Sequence, residues 1–407
     1  MSDKQYALFE EQQRARGIDI EKVKNKIKQL KVETPSWGFG DSGTRFKVFE
    51  QEGVPRDPFE KFEDAAQVHK FTGSSPSVAI HIPWDKVDDY KALKSHAESL
   101  GLSIGAVNPN VFQDDDYKFG SITNADPAVR KKATDHLLEC VDIAKEVESK
   151  AVSLWFADGT NYPGQADFRK RKNWMQECLQ TMYNRLDDDM RMLIEYKFFE
   201  PAFYHTDLAD WGMAFNMANK LGSKAEVLVD TGHHPQAANI EHIVAYLLDE
   251  KRLGGFHFNS RKYADDDLIV AAHNPHEIFL IMQQIVAAEE DKEDPGASRT
   301  AANIAYMLDQ CHNIEPKIPA MIRSILNVQN LYAKACLVNL EELREAQEKQ
   351  DVLWAEEVVR EAYECDVSPL LKAVREEIGA AVDPMKAYRE SGYGEKILSR
   401  GKGGASW

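Results

Sequence analysis

The chain has 407 residues, 43% of them hydrophobic, with 67 acidic against 50 basic side chains and a formal net charge of −17. A chain this long buries a large core, so it needs neither disulfides nor metal merely to fold. The acidity argues against nucleic acid, because phosphate binding needs a basic face, but not against a divalent cation. No run of about 18 apolar residues is present, so no spanning helix is expected. The charged opening segment lacks the apolar centre of a signal peptide. The five cysteines, Cys140, Cys178, Cys311, Cys336 and Cys365, show no CxxC pairing. They read as buried thiols in a reducing cytoplasm.

The segment up to residue 32 is charged, with Ile18, Ile20, Val23 and Ile27 at helical spacing. Strand candidates follow at 36–40, 78–82, 103–108, 151–156, 192–197, 226–230, 254–259 and 302–309. The last of these also reads as a helix. Amphipathic helical patterns fill 85–100, 128–149, 168–187 and 240–252. Eight strands mostly separated by helical crossovers predict a parallel sheet closed into a (β/α)8 TIM barrel. Past residue 316 the pattern becomes wholly helical, over 328–350, 352–363 and 368–381, with Ser368 expected to cap the third helix ahead of Pro369. The expected organisation is a catalytic barrel over 1–315, which includes the N-terminal helix, and an all-helical C-terminal extension over 316–407 for oligomer contacts. The tail over 399–407 is expected to be unanchored.

In such a barrel the chemistry sits at the C-terminal ends of the strands. There the sequence places His81 and Trp84 after strand 2, Glu195 and Lys197 at strand 5, and Asp230, His233 and His234 at strand 6. His257 and Asn259 end strand 7, and Asp309 ends strand 8. A carboxylate inside an apolar strand is costly to bury unless it is paired or bound to a cation. Glu195, Asp230, His257 and Asp309 would converge on one mouth, and three oxygen donors with one imidazole suit Mn²⁺, Mg²⁺ or Co²⁺. The loop after strand 7 carries Asp265 and Asp267, two apart, which an extended loop would turn to one side. With His233, three residues past Asp230, they make a second candidate set. His234 reads as structural. Trp37, Trp84 and Trp155 lie at strand ends, where indole faces suit the C–H faces of a sugar.

The motifs PSWGFGDSGTRF, HIPWDK, DGTNYPGQ, EPAFY, LVDTGHH, GGFHFN, KYADDDL and DQCHN, in this order, resemble those of L-rhamnose isomerase. The similarity is to the broad-specificity bacterial aldose–ketose type, over roughly residues 18–394, with xylose isomerase a more distant relative. The resemblance implies a metal-dependent homotetramer using two divalent ions per subunit, Mn²⁺ first, with Co²⁺, Mg²⁺ or Zn²⁺ as alternatives. It implies that Glu195, Asp230, His257 and Asp309 hold the structural metal, and that His233, Asp265 and Asp267 hold the catalytic one. It implies that His81 assists ring opening and that Asp309 and Lys197 act with it. Trp37, Trp84 and Trp155 would line the substrate pocket, and Phe46 lies in a segment that reaches a neighbouring subunit's site. Tyr196 and the pair Ser260–Arg261 depart from the family's pattern. Tyr196 is expected to point away from the barrel interior, and Arg261 to add positive charge near the site.

The expected reaction is the conversion of L-rhamnose, and of other aldoses such as D-allose, into the ketose. Two adjacent cations favour a 1,2-hydride shift over a proton transfer through an enediol. Two alternatives stand beside it. One is a ketose 3-epimerase on a related barrel, which needs one metal and gives Asp265 and Asp267 no role. The other is a catalytically inactive sugar-binding protein.

Overall fold

The structure is a computed structural model that describes residues 2–43, 47–200 and 204–404. Phe46 therefore lies outside the described residues. Eight parallel strands follow one another around a barrel in chain order: β1 (Thr34–Pro35), β2 (Ser77–Ile82), β3 (Ser103–Pro109), β4 (Ala151–Leu154), β5 (Arg191–Glu195), β6 (Ala225–Asp230), β7 (Leu253–Phe258) and β8 (Ala305–Leu308). Glu33 closes the ring against β8, its amide donating to Tyr306 O at 2.8 Å and its carbonyl accepting from Leu308 N at 2.9 Å.

Most of the helical crossovers begin with a strong start signal. Asp57, Asp89, Asp126, Asp167, Asp210 and Asn239 each cap a helix by accepting from a backbone amide two or three residues on. Residues that alternate outward from the strands join the large core beneath these helices, among them Ile80, Ile194, Val229 and Phe256. Residues facing inward form a smaller apolar layer of Ala79, Ala106, Leu193, Leu228 and Met307. Below it, Arg191 pairs with Glu226 at 2.6 Å. Above it, two residues further along each strand, come His81, Glu195, Asp230 and Asp309. The period of two thus stacks an ion pair, an apolar plug and a polar mouth in one column.

Several elements differ from the sequence reading. Residues 36–40 are not a strand: β1 is short, and Ser36–Phe39 coils into a buried 3₁₀ turn. A Cβ on Gly38 in that turn would lie 2.6 Å from the Gln310 carbonyl, so only glycine permits the approach. Residues before Ala302 are helical (Pro295–Ala302), and the strand starts at Ala305. The helix expected over 328–350 is two helices, Lys317–Ala335 and Leu340–Glu348, the second capped by Asn339. The first packs between Pro58–Thr72 and Pro275–Glu289 as the eighth helix of the outer ring. Ser368 is the first residue of its helix rather than its cap, and its amide donates to Asp366 Oδ1 at 2.9 Å. The tail is anchored at Arg400, which pairs with Asp64 at 2.9 Å beneath the surface; residues 405–407 lie outside the described residues. All five cysteines are free. Among the described residues no helix is long and apolar enough to cross a membrane.

One buried ion pair holds the start of the barrel to its outer layer. Lys61 Nζ lies 2.7 Å from Asp85 Oδ1, and the two side chains are 2% and 0% exposed. The other oxygen of Asp85 accepts from His81 N at 2.7 Å and from the Ser36 hydroxyl. Removing one partner strands the other as an unpaired buried charge. Lys61→Met should therefore cost on the order of 3–5 kcal/mol. The measurement is the chemical-denaturation midpoint, and an unchanged midpoint would refute the role assigned to this pair.

Candidate metal centre

Four side chains from consecutive strands meet at the barrel mouth. Glu195 ends β5, Asp230 ends β6, His257 is the penultimate residue of β7, and Asp309 follows β8. One donor atom from each lies within 4.8 Å of the others. His257 Nδ1 is 3.1 Å from Glu195 Oε2 and 3.6 Å from Asp309 Oδ2. A second set, Asp230, His233 and Asp265, also has its donors within 4.8 Å. His233 Nε2 lies 3.5 Å from Asp265 Oδ2 and 3.9 Å from Asp230 Oδ2. Asp230 belongs to both sets. It is fully buried and accepts from Gly232 N at 2.6 Å and from the Asn259 amide at 3.0 Å. Glycine at 232 leaves room for this packing, because a Cβ there would sit 2.6 Å from Asn259 Oδ1 and 2.8 Å from Asp265 Oδ1 and would push both side chains aside.

The electrostatics show what this cluster lacks. Burial, reinforced by Glu195, Asp265 and Asp309, pushes Asp230 up to about 7. Burial also raises Asp309. Burial works against a charged His257, but Glu195 beside it prevails and carries the imidazole up to about 9. Asp265 is held far below the usual carboxylate range, against burial, by Lys197 and His233. Protons on imidazoles and acids thus balance charges that burial would otherwise forbid. Among the described residues, His257 Nε2 and Asp265 Oδ1 are buried without a hydrogen-bond partner, and Glu195 meets only imidazoles, His257 through Oε2 and His233 through Oε1 at 3.2 Å. Orphaned donor atoms converging from several carboxylates and imidazoles fit a divalent cation in each set.

Asp267 does not join either set. The expectation that it follows Asp265 onto the same side assumed an extended loop, but Asp267 takes a left-handed backbone, with φ of 48°. Its Oδ2 accepts instead from the Cys311 thiol at 3.5 Å. Arg261 does not project into the mouth. It is buried under the loop, donating to Thr231 O at 2.6 Å and pairing with Glu277 at 3.0 Å. Tyr196 does point away from the interior, and its hydroxyl meets His234 Nε2 at 2.7 Å.

Aromatic rings wall the space beside the ligands. His81 stacks on Trp84 at 3.8 Å and meets the edge of Trp37 at 5.5 Å. Burial and the nearby Lys61 hold His81 well below its usual value, so the ring is neutral, and its Nδ1 has no partner. Trp37 Nε1 donates to Asp309 Oδ1 at 2.8 Å, which orients that carboxylate. Lys197 Nζ lies 2.6 Å from both Glu200 and Asp265 and 5.1 Å from the Trp155 ring. Phe112 was missed by the sequence reading. It stands 4.8 Å from Trp155 and 5.7 Å from His81. Its position just past the end of β3 was a usable signal. Lys61 and Asp85, which support His81 from behind, carried none.

This chain belongs to the xylose isomerase-like TIM barrel family, whose model matches residues 64–282. Its relatives include a probable sugar isomerase of Rhizobium meliloti, 43% identical over 94% of this chain and 89% of that protein. Another probable sugar isomerase, from Mesorhizobium japonicum, is 40% identical over 98% of this chain and 92% of that protein. A D-allulose 3-epimerase from Methylomonas sp. shares the fold, with a TM-score of 0.52 and 13% identity over 73% of this chain and 95% of that one.

Because Asp230 is common to both sets, its loss should act twice. Asp230→Asn should weaken Mn²⁺ binding at both equivalents, by more than the roughly 10–100-fold typical of losing a group behind a ligand. Titration of chelator-stripped protein reads this directly. Full affinity at either equivalent would refute the sharing.

Proposed function

We propose that this chain is a metal-dependent aldose–ketose isomerase that converts L-rhamnose to L-rhamnulose and accepts other aldoses such as D-allose. The observation that carries the reading is a pair of ligand sets sharing Asp230 inside one aromatic-walled barrel mouth. Homology to probable sugar isomerases over nearly the whole chain supports it. Glu195, Asp230, His257 and Asp309 would hold one divalent cation, and Asp230, His233 and Asp265 a second, with Asp267 beside them. Mn²⁺ is the first candidate for both. Such cations polarise a carbonyl and the adjacent hydroxyl oxygen, which suits a 1,2-hydride shift between C1 and C2.

The chain's own groups supply the rest. Trp37, Trp84 and Trp155 present faces to the C–H groups of a sugar. Neutral His81, with its free Nδ1, hydrogen-bonds the ring oxygen and assists opening of the cyclic sugar. Lys197, held charged by its two carboxylates, orients a substrate hydroxyl. Asp309, fixed through Oδ1 by the Trp37 indole, moves a proton between the C1 and C2 oxygens. The helices past Ala335, beyond the eighth helix of the barrel ring, would make the contacts of a cytoplasmic homotetramer.

Chelator-stripped protein given L-rhamnose should form ketose only when Mn²⁺ is returned, and deuterium at C2 should appear at C1. No metal-dependent ketose from any of several aldoses would overturn the reading in favour of sugar binding alone. Complete washout of the label would replace the hydride shift with an enediol. His81→Asn should slow turnover of cyclic sugar by roughly 10²-fold or more while leaving Mn²⁺ affinity in place. Unchanged turnover would remove the ring-opening role.

A further inference from the structure

We infer that Tyr196 and His234 form a positioning clamp that aims His233 at the second cation set and couples that set to the first. The inference rests on the two-cation reading above. Tyr196 sits between Glu195 of the first set and Lys197, which is bonded to Asp265 of the second. The strand's alternation turns its ring outward, where it is 1% exposed. Two contacts then tie it to the neighbouring strand end. The Tyr196 carbonyl lies 3.1 Å from His233 Nδ1, and the hydroxyl lies 2.7 Å from His234 Nε2, with the rings edge-on at 5.3 Å.

The Tyr196 carbonyl can only accept, so His233 Nδ1 donates to it, with Glu195 Oε1 also 3.2 Å away, and Nε2 is left facing Asp230 and Asp265. The hydroxyl contact holds the following residue, so the 233–234 backbone cannot rotate His233 away. The His234 ring also faces the Asp230 backbone, and the tyrosine hydroxyl is the hydrogen bond made by its Nε2. Cutting that bond leaves Nε2 unsatisfied inside the protein, a cost the turn relieves by moving. The disturbed ligand is then His233 alone. Glu195, Asp230, His257 and Asp309 keep their places on the strands.

The test is titration of chelator-stripped full-length protein with Mn²⁺, with electron paramagnetic resonance reporting whether the two ions are coupled. Wild type should bind two equivalents. Tyr196→Phe should keep one near wild-type affinity and weaken the other by about 10–100-fold, with loss of the coupled signal. His234→Asn, too short to receive the hydroxyl, should behave alike and serves if Tyr196→Phe folds poorly. His234→Gln, which places an oxygen near the lost Nε2, should retain both equivalents. In a His233→Ala background, Tyr196→Phe should change nothing further. Two equivalents in wild type with both or neither weakened in Tyr196→Phe would overturn the clamp and leave the two-cation reading standing. A single equivalent in wild type would overturn that reading and the clamp with it.

Discussion

The structure turns on burying several carboxylates together at one end of a closed barrel. Glu195, Asp230, Asp265 and Asp309 converge from different strands and loops, and burial penalises every one of their charges. No arrangement of neutral neighbours would hold them there. The positive charge has to come from protonated imidazoles, from Lys197 or from divalent cations. Lys197 is committed to Asp265 and Glu200, so the three carboxylates Glu195, Asp230 and Asp309 are left to His257, His233 or a cation. The net charge of −17 says little by itself; the placement of these few members says much more.

Around this demand the fold supplies rigidity. The ligands of the first set stand at strand ends, above an apolar plug and an ion pair that fill the barrel below them. Indole and imidazole groups are held in turn by their own partners: Trp37 by Asp309, and the backbone of His81 by Asp85 and thus by Lys61. A cation site needs this kind of support, since ligand direction matters as much as ligand identity.

The likeness to a D-allulose 3-epimerase is one of fold. Beside the four donors at the strand ends, a second set adjoins on His233 and Asp265. The loop after β7 supplies Asp265 to that set. It has a left-handed Asp267, a buried Arg261 anchored to Glu277, and glycine at position 232 opposite it.

Much of the barrel was readable because its signals are local. Apolar runs with period two, Asp and Asn caps, and carboxylates in apolar strands each follow from the chemistry of a few neighbouring residues. The meeting of Glu195, Asp230, His257 and Asp309, and of His233 with Asp265, was legible in this way. What failed were inferences that needed long-range information. β1 is short because Ser36–Phe39 packs under Gln310, which lies far along the chain. Asp267 turns toward Cys311 because of a backbone angle that spacing does not reveal. Arg400 is anchored by Asp64, and Phe112 meets Trp155, through contacts between residues distant in sequence. By itself the sequence determined which donors exist and which strand ends carry them, since alternation and composition are properties of short segments. Only the tertiary structure decided which donors meet within a cation's reach, because a distance of a few ångströms depends on how the whole ring closes.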